Sequence, residues 1–201
     1  MSFNPNALAW LAGRRSNGRM TDEPVPAGVL AQALQAALWA PDHRRLQPWR
    51  FQVIQGEARA QLANVLEAAQ RAQDPDVSAS QLGKIRLQPW RAPVLVVAIL
   101  QPVAHDKVPH VEQVLSMGAA IENFLLMIEA QGYHAMWRTG LLVDTPVVRE
   151  AFGLTGAAQI CGIIYVGRAA SPLPAHEPVA LEAFVEAWHG PVAGPLRKEP
   201  T

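Results

Sequence analysis

A single cysteine, Cys161 in "QICGIIYVG", is all the thiol chemistry the chain carries. It can form no intrachain disulfide, so it reads as a small core hydrophobe in a protein of a reducing cytosol. Charge of one sign is not in excess either: seventeen Lys plus Arg balance seventeen Asp plus Glu. That balance excludes the broad positive field needed by a sequence-independent nucleic-acid binder or a ligand of anionic membranes. Any basic site must be local. The opening "MSFNPNALAWLAGRRSNGRM" lacks an apolar signal core behind a basic start, and no apolar run reaches the roughly 18 residues that cross a bilayer. The expectation is a soluble, cytoplasmic protein. Also missing are a G-x-G-x-x-G after a strand, a Walker lysine loop and a G-x-S-x-G elbow, which removes the two commonest nucleotide folds and the usual serine hydrolase. No two histidines stand at a recognised ligand spacing with a Cys or carboxylate, so His43 with Asp42, His105 or His110 gives no expected metal site.

What is present suits one sizeable core: 201 residues, half of them hydrophobic. One domain is expected over residues 1–170. Residues 171–201 read as a proline-rich extension around one helical piece, "ALEAFVEAW", of the kind that wraps a partner subunit. Before that, "PNALAWLAG" (5–13) reads as a short helix stopped by Gly13. Pro26 to Trp39 carries Leu30, Leu34, Ala37 and Leu38 at helical spacing and ends before Pro41. "FQVI" (51–54) reads as a strand, and Glu57 to Gln73 as a surface helix with Leu62, Val65, Leu66 and Ala69 on one face. Residues 74–91 are polar and read as an irregular, mobile excursion. "PVLVVAIL" (93–100) has the continuous apolarity of a strand covered on both faces. Val111 to Ala130 is apolar almost all round and predicts a buried helix, with Gly118, Ala119 and Ala120 open to a close neighbour or a second subunit. "YHAMW" and "QICGIIYVG" add two strands about the helix "PVVREAFG". The class is α+β.

Two patches pair arginine with a hydroxyl. Arg14, Arg15 and Ser16, with Arg19 close behind, follow a helix stop. A guanidinium fork fits phosphate oxygens and a serine adds a donor, although a solvated basic turn has the same composition. Arg138 and Thr139 repeat the pairing at a strand end, with Trp137 before them and Gly140 after. A clamp beside an aromatic is what a planar heterocycle carrying a phosphate requires; a tryptophan in the core is the plainer alternative for Trp137. His43, in "APDHRRLQPWRF", reads as a ligand donor or a simply exposed histidine. "HRRLQPWRF" and "IRLQPWRAP" interleave aromatics with cations as single-strand binders do, but zero net charge argues against nucleic acid.

In order and spacing, "RRSNGR", "APDHRRLQPWRFQVI", "APVLVVAI", "KVPHVEQVLSMGAAIENFLL", "AQGYHAMWRTG", "VVREAFG" and "GIIYVG" resemble the FMN-dependent nitroreductase family, most closely its short, minimal members. The resemblance implies an α+β nitroreductase-like fold, with a central, mostly antiparallel sheet wrapped by helices. It implies an intertwined homodimer with two FMN at the interface. Arg14, Arg15 and Ser16 match flavin contacts of one subunit, with Arg138 and Thr139 at the phosphate end and Trp137 near the ring; Trp39 and His43 match contacts supplied by the other. The implied activity is ping-pong hydride transfer from NADH or NADPH through flavin N5 to a nitroaromatic, quinone or similar small acceptor. No catalytic side chain is then needed, because the cofactor carries the chemistry. Two positions depart from the pattern. Gly18 stands where many relatives carry a basic residue, so Arg14 or Arg19 is expected to tune the flavin; Arg45 stands near where larger relatives carry Asn. A low-turnover flavin binder or specialised dehydrogenase is the neighbouring alternative. A peptide-interaction protein using the tryptophans and the proline-rich tail is the distant one.

Overall fold

The computed structural model describes residues 10–140, 142–173 and 179–190. Its centre is the strand β2 (Val94–Leu100), in which every residue is buried. The alternation along it explains the layers. Val94, Val96, Ala98 and Leu100 point into one apolar cluster and Leu95, Val97 and Ile99 into another, as successive side chains of a strand must. β1 (Trp49–Gln55) pairs with one edge of β2, β4 (Gln159–Gly167) with the other, and β3 (His134–Arg138) with β4. The order is β1-β2-β4-β3 and every pairing is antiparallel.

Two helices cover the first face: α1 (Ala27–Ala37), whose inner side is Leu30, Ala33 and Ala37, and α4 (His110–Ala130), whose inner side is Met117, Ala120, Ile121, Phe124 and Ile128. The second face is covered by α2 (Ala58–Gln73), α3 (Ala79–Arg86) and α5 (Pro146–Ala151) through Leu62, Leu66, Ala69, Ile85 and Val148. α4 is long and apolar enough, by length and composition, to cross a bilayer, yet its inner side is core. Its other side is not buried: Val111 is 59% and Leu115 67% exposed. The sequence's all-round apolarity therefore does not mean all-round burial within this chain. Among the described residues no atom outside its own helix backbone lies within 4 Å of where a side chain on Gly118 would start, so none of them uses that gap.

Two further expectations are corrected. Residues 74–91 are ordered rather than irregular. Ser78 accepts from Gln81 N at 3.2 Å while the Gln81 side chain accepts from Ser78 N at 3.2 Å, a reciprocal cap that starts α3; a 3-10 turn, Gln88–Arg91, follows. "ALEAFVEAW" makes only a 3-10 turn, Leu181–Ala183; among the described residues its apolar side is not packed, with Leu181, Phe184, Val185 and Trp188 all exposed. Of the helix expected at 5–13, residues 10–13 are helical and the rest lies outside the described residues.

Candidate functional site

The "RRSNGR" segment runs along the open edge of β3. Ser16 forms a parallel bridge to Ala135, and Asn17 N donates to Ala135 O at 3.2 Å. Farther on, Met20 bridges Ala169, Ala170 N donates to Arg19 O at 3.0 Å and Thr21 N to Arg168 O at 3.0 Å. Residues 16–21 thus prolong the sheet by one ragged strand, and this register brings Gly18, two residues past "RRS", against Arg138. A Cβ on Gly18 would stand 3.1 Å from Met136 Sδ and 3.3 Å from Arg138 Nη2. The Arg138 guanidinium therefore lies over the backbone of Gly18, in the space a side chain there would fill.

The members of this cluster are held differently. Arg138 is half-buried, touches Met136 Sδ at 3.2 Å and has its guanidinium carbon 5.9 Å from the Tyr165 ring centre; among the described residues it has no ion pair. Arg14 Nε lies 3.5 Å from Glu122 Oε1 on α4. Arg15 Nη1 donates to Ala12 O at 2.7 Å and Arg14 O at 2.9 Å, tying down the end of the preceding helix. Arg19 is exposed, and its amide donates to Asn17 Oδ1 at 2.9 Å. Asn17 itself is 3% exposed, and its Nδ2 meets no acceptor among the described residues. A buried donor without a partner is costly.

Arg138 and Thr139 line a cavity of about 570 Å³ between the β3–β4 end of the sheet and α2 and α3. Leu66, Ile85, Leu142 and Ile163 give it apolar walls, while Gln70, Gln88 and Tyr165 add polar groups. Burial pushes the Tyr165 phenol up against the opposing charges of Arg138 and Arg91, so at neutral pH it is protonated and can donate. The chemistry suits an anionic group at the arginine and threonine end, joined to a flat body that takes hydrogen bonds from carboxamides. Trp137 and Gly140 also line this cavity. The Trp137 indole is 40% exposed, and its Nε1 donates to Cys161 O at 3.0 Å.

Of the expected contacts, Trp137, Arg138 and Thr139 line this cavity, whereas Arg14, Arg15, Ser16, Trp39 and His43 do not. Trp39, 71% exposed, lines an apolar groove with Trp10, Leu11, Asn123 and Met127. His43 Nδ1 lies 2.6 Å from Glu112 Oε2 at the start of α4. Neither lines the 570 Å³ cavity. Conversely, Gln70, Gln88 and Tyr165 were not foreseen. Gln70 sits on an expected helix but looks like a solvated polar residue. Gln88 belongs to the segment read as irregular. Tyr165 faces the cavity only because β4 alternates.

The model of the "Nitroreductase family" matches residues 11–168. YdjA of Escherichia coli K12, provisionally named as a NAD(P)H nitroreductase, is 40% identical over 163 residues, which cover 81% of this chain and 87% of YdjA. Among solved structures, a nitroreductase-like protein of Bacillus cereus superposes with a TM-score of 0.78 at 24% identity, covering 94% of this chain and all of its own. A nitroreductase candidate from Desulfovibrio desulfuricans, solved in complex with FMN, superposes with a TM-score of 0.67 at 27% identity, over 93% of this chain and 99% of that one.

Proposed function

The chain belongs to the nitroreductase family and is an oxidoreductase; from that premise we propose that it binds FMN at the Arg138 cavity, is reduced by NAD(P)H and works as a homodimer. One observation carries the reading: Trp137, Arg138 and Thr139 together line a 570 Å³ cavity, and the edge register lays the Arg138 guanidinium over Gly18, two residues past "RRS". A cavity of that size accommodates a flavin-sized ligand, and the donor set matches one. Arg138 and the Thr139 hydroxyl line it and offer donors to a phosphate, and in this reading Arg14, Arg15 and Ser16 of the neighbouring edge segment add to them. Gln70 and Gln88 each carry a donor and an acceptor for a heterocycle edge. The unpartnered Asn17 Nδ2 is one more donor within the same segment.

FMN held there would supply the redox chemistry, hydride and electron transfer between a reduced nicotinamide and a small acceptor such as a nitroaromatic or quinone. The side chains bind, orient and tune. With Gly18 in place of a basic residue, the cations available to favour an electron-rich flavin are Arg14, shared with Glu122, Arg19, and Arg138 over Gly18 itself. The apolar walls keep water from the ring. Trp39 and His43 act in the partner's site. In support, Trp10, Trp39, Val111 and Leu115, on or beside the helices that cover the first face, are exposed apolar side chains, a surface that a second subunit would cover. The exposed Val179, Phe184 and Trp188 of the extension pack on the second subunit in the same reading. Membership of an enzyme family leaves the peptide-interaction alternative without support.

The test is an absorbance spectrum. The purified protein is expected to show oxidised-flavin bands that leave with the small-molecule fraction on denaturation, and Arg138→Ala is expected to weaken FMN binding about tenfold or more. A colourless protein that takes up no added FMN would overturn the proposal.

A further inference from the structure

The turn that connects α1 to β1 is strained at three positions. Arg44, Arg45 and Gln47 all have left-handed backbones, with φ of 64°, 55° and 51°, a region that side chains other than glycine rarely occupy. The strain is held from both ends. Gln47 N donates to Asp42 Oδ2 at 2.7 Å and Arg45 N to Asp42 O at 3.2 Å. Ser116 Oγ of α4 donates to Pro41 O at 2.7 Å, His43 meets Glu112 of α4 at 2.6 Å, and Gln101 N donates to Pro48 O at 2.6 Å. At the middle of this clamped turn stand two exposed arginines, Arg44 and Arg45. Among the described residues neither side chain has an ion pair or a hydrogen bond. Strain that the surroundings over-determine marks a functional position more often than a structural one, and here it fixes two uncommitted guanidiniums outward.

Arg45 also lines a cavity of about 300 Å³ with Trp39, Asp42, Gln47 and Trp49. Asp42, its one carboxylate, already accepts from the Gln47 amide. A guanidinium fork binds phosphate oxygens in pairs. A second guanidinium next to the first suits a dianion, which a neutral hydroxyl cannot replace. We propose that Arg44 and Arg45 bind the 2′-phosphate of NADPH, making NADPH the preferred reductant over NADH. This rests on the flavin reading above. If Trp39 and His43 of one subunit stand at the partner's flavin, Arg44 and Arg45 follow them in the chain and flank the approach of the dinucleotide.

The test has two arms. In steady-state turnover of the holoenzyme, kcat/KM for NADPH is expected to exceed that for NADH by about tenfold or more, and the Arg44→Ala/Arg45→Ala double variant to lose that advantage through KM. In calorimetry, without turnover, the protein is expected to bind 2′,5′-ADP more tightly than 5′-AMP, and the double variant to bind both alike. Lysine at both positions should retain part of each preference. Should the alanine variant fail to fold, Arg44→Asn/Arg45→Asn removes the same charges while tolerating the left-handed backbone. Equal use of NADH and NADPH, an equal loss with both, or equal binding of 2′,5′-ADP and 5′-AMP would each overturn the inference. Failure to take up FMN counts instead against the flavin reading, and the nucleotide comparison still decides this one.

Discussion

Trp137 can lie against the sheet only because Gly162 has no side chain. A Cβ there would overlap the indole at Nε1 and Cδ1 and come within 3.1 Å of Arg138 O. The neighbouring geometry follows from a bulge. β2 and β4 pair Ala98 with Gly162 but Ile99 with Ile160, so Cys161 is the extra residue. Beyond the end of β3 at the Arg138–Ile163 pair, its carbonyl is open to the indole. Bulges of this kind re-aim side chains near functional sites. Burial pushes the Cys161 thiol up, which keeps it a packing group and not a nucleophile. Gly162→Ala is therefore expected to displace Trp137 from Cys161 and destabilise the fold by about 1–3 kcal/mol, the usual range for an overpacked site. Chemical denaturation reads this directly, and an unchanged midpoint would show that the indole has room to move. The sequence left Trp137 as either a core aromatic or a ligand neighbour. It is not a core aromatic: the indole is 40% exposed, with one edge bonded to β4 and the ring lining the cavity. A glycine two residues into an apolar strand gives little hint of that.

Among the elements, α3 depends on one carboxylate. Glu67 on α2 accepts from Arg71 Nε and Nη2 at 3.2 and 2.9 Å, one turn on, and from Arg86 Nη1 of α3 at 2.6 Å. The Arg71 bonds, then Arg86, hold the Glu67 carboxyl below its ordinary range against the opposing effect of burial. A carboxyl whose folded-state pKa is depressed adds stability above its unfolded pKa and loses it as pH falls through the folded value. Glu67→Gln should accordingly lower the melting temperature at neutral pH, and the gap from the parent should close in acid below the carboxylate range. A gap that persists there would mean that the charge is not what joins the helices. Because α3 carries Ile85 of the cavity wall and leads into Gln88, the same variant tests whether the wall needs this tie. α3 was hidden in the sequence by polarity: eight residues with only Leu82 and Ile85 buried show almost no periodicity. Its one clear sign is the Ser78–Gln81 cap. "ALEAFVEAW" misleads in the opposite way. It has the pattern of a helix but, among the described residues, no surface to bury against, and pattern without packing does not hold so short a helix. The strands and α1 and α2 were legible because their pattern and their burial coincide, and α4 because its long apolar stretch marks a helix, though not which side of it is buried.

At the scale of the whole molecule the open question is what covers the outer side of α4. Its apolarity was legible but its partner was not, because a sequence shows how much of a helix is apolar and not which side faces another chain. Leu115 is 67% exposed, Gly118 has open space, and Trp10, Leu11, Trp39 and Met127 line a groove of about 370 Å³ beside them. If the chain functions alone, Leu115→Glu changes an exposed residue and should be nearly neutral, within about 0.5 kcal/mol. If two chains pack through this side, the same substitution puts a carboxylate into an apolar interface, where it costs several times more. Sedimentation velocity separates the cases. The parent is expected to sediment as a dimer of 21.8 kDa chains, and Leu115→Glu to shift toward the single chain while losing FMN, since Trp39 and His43 would withdraw from the partner's site together. A parent that sediments as one chain, or a variant that stays dimeric and yellow, would place the second wall of the flavin site somewhere other than across α4.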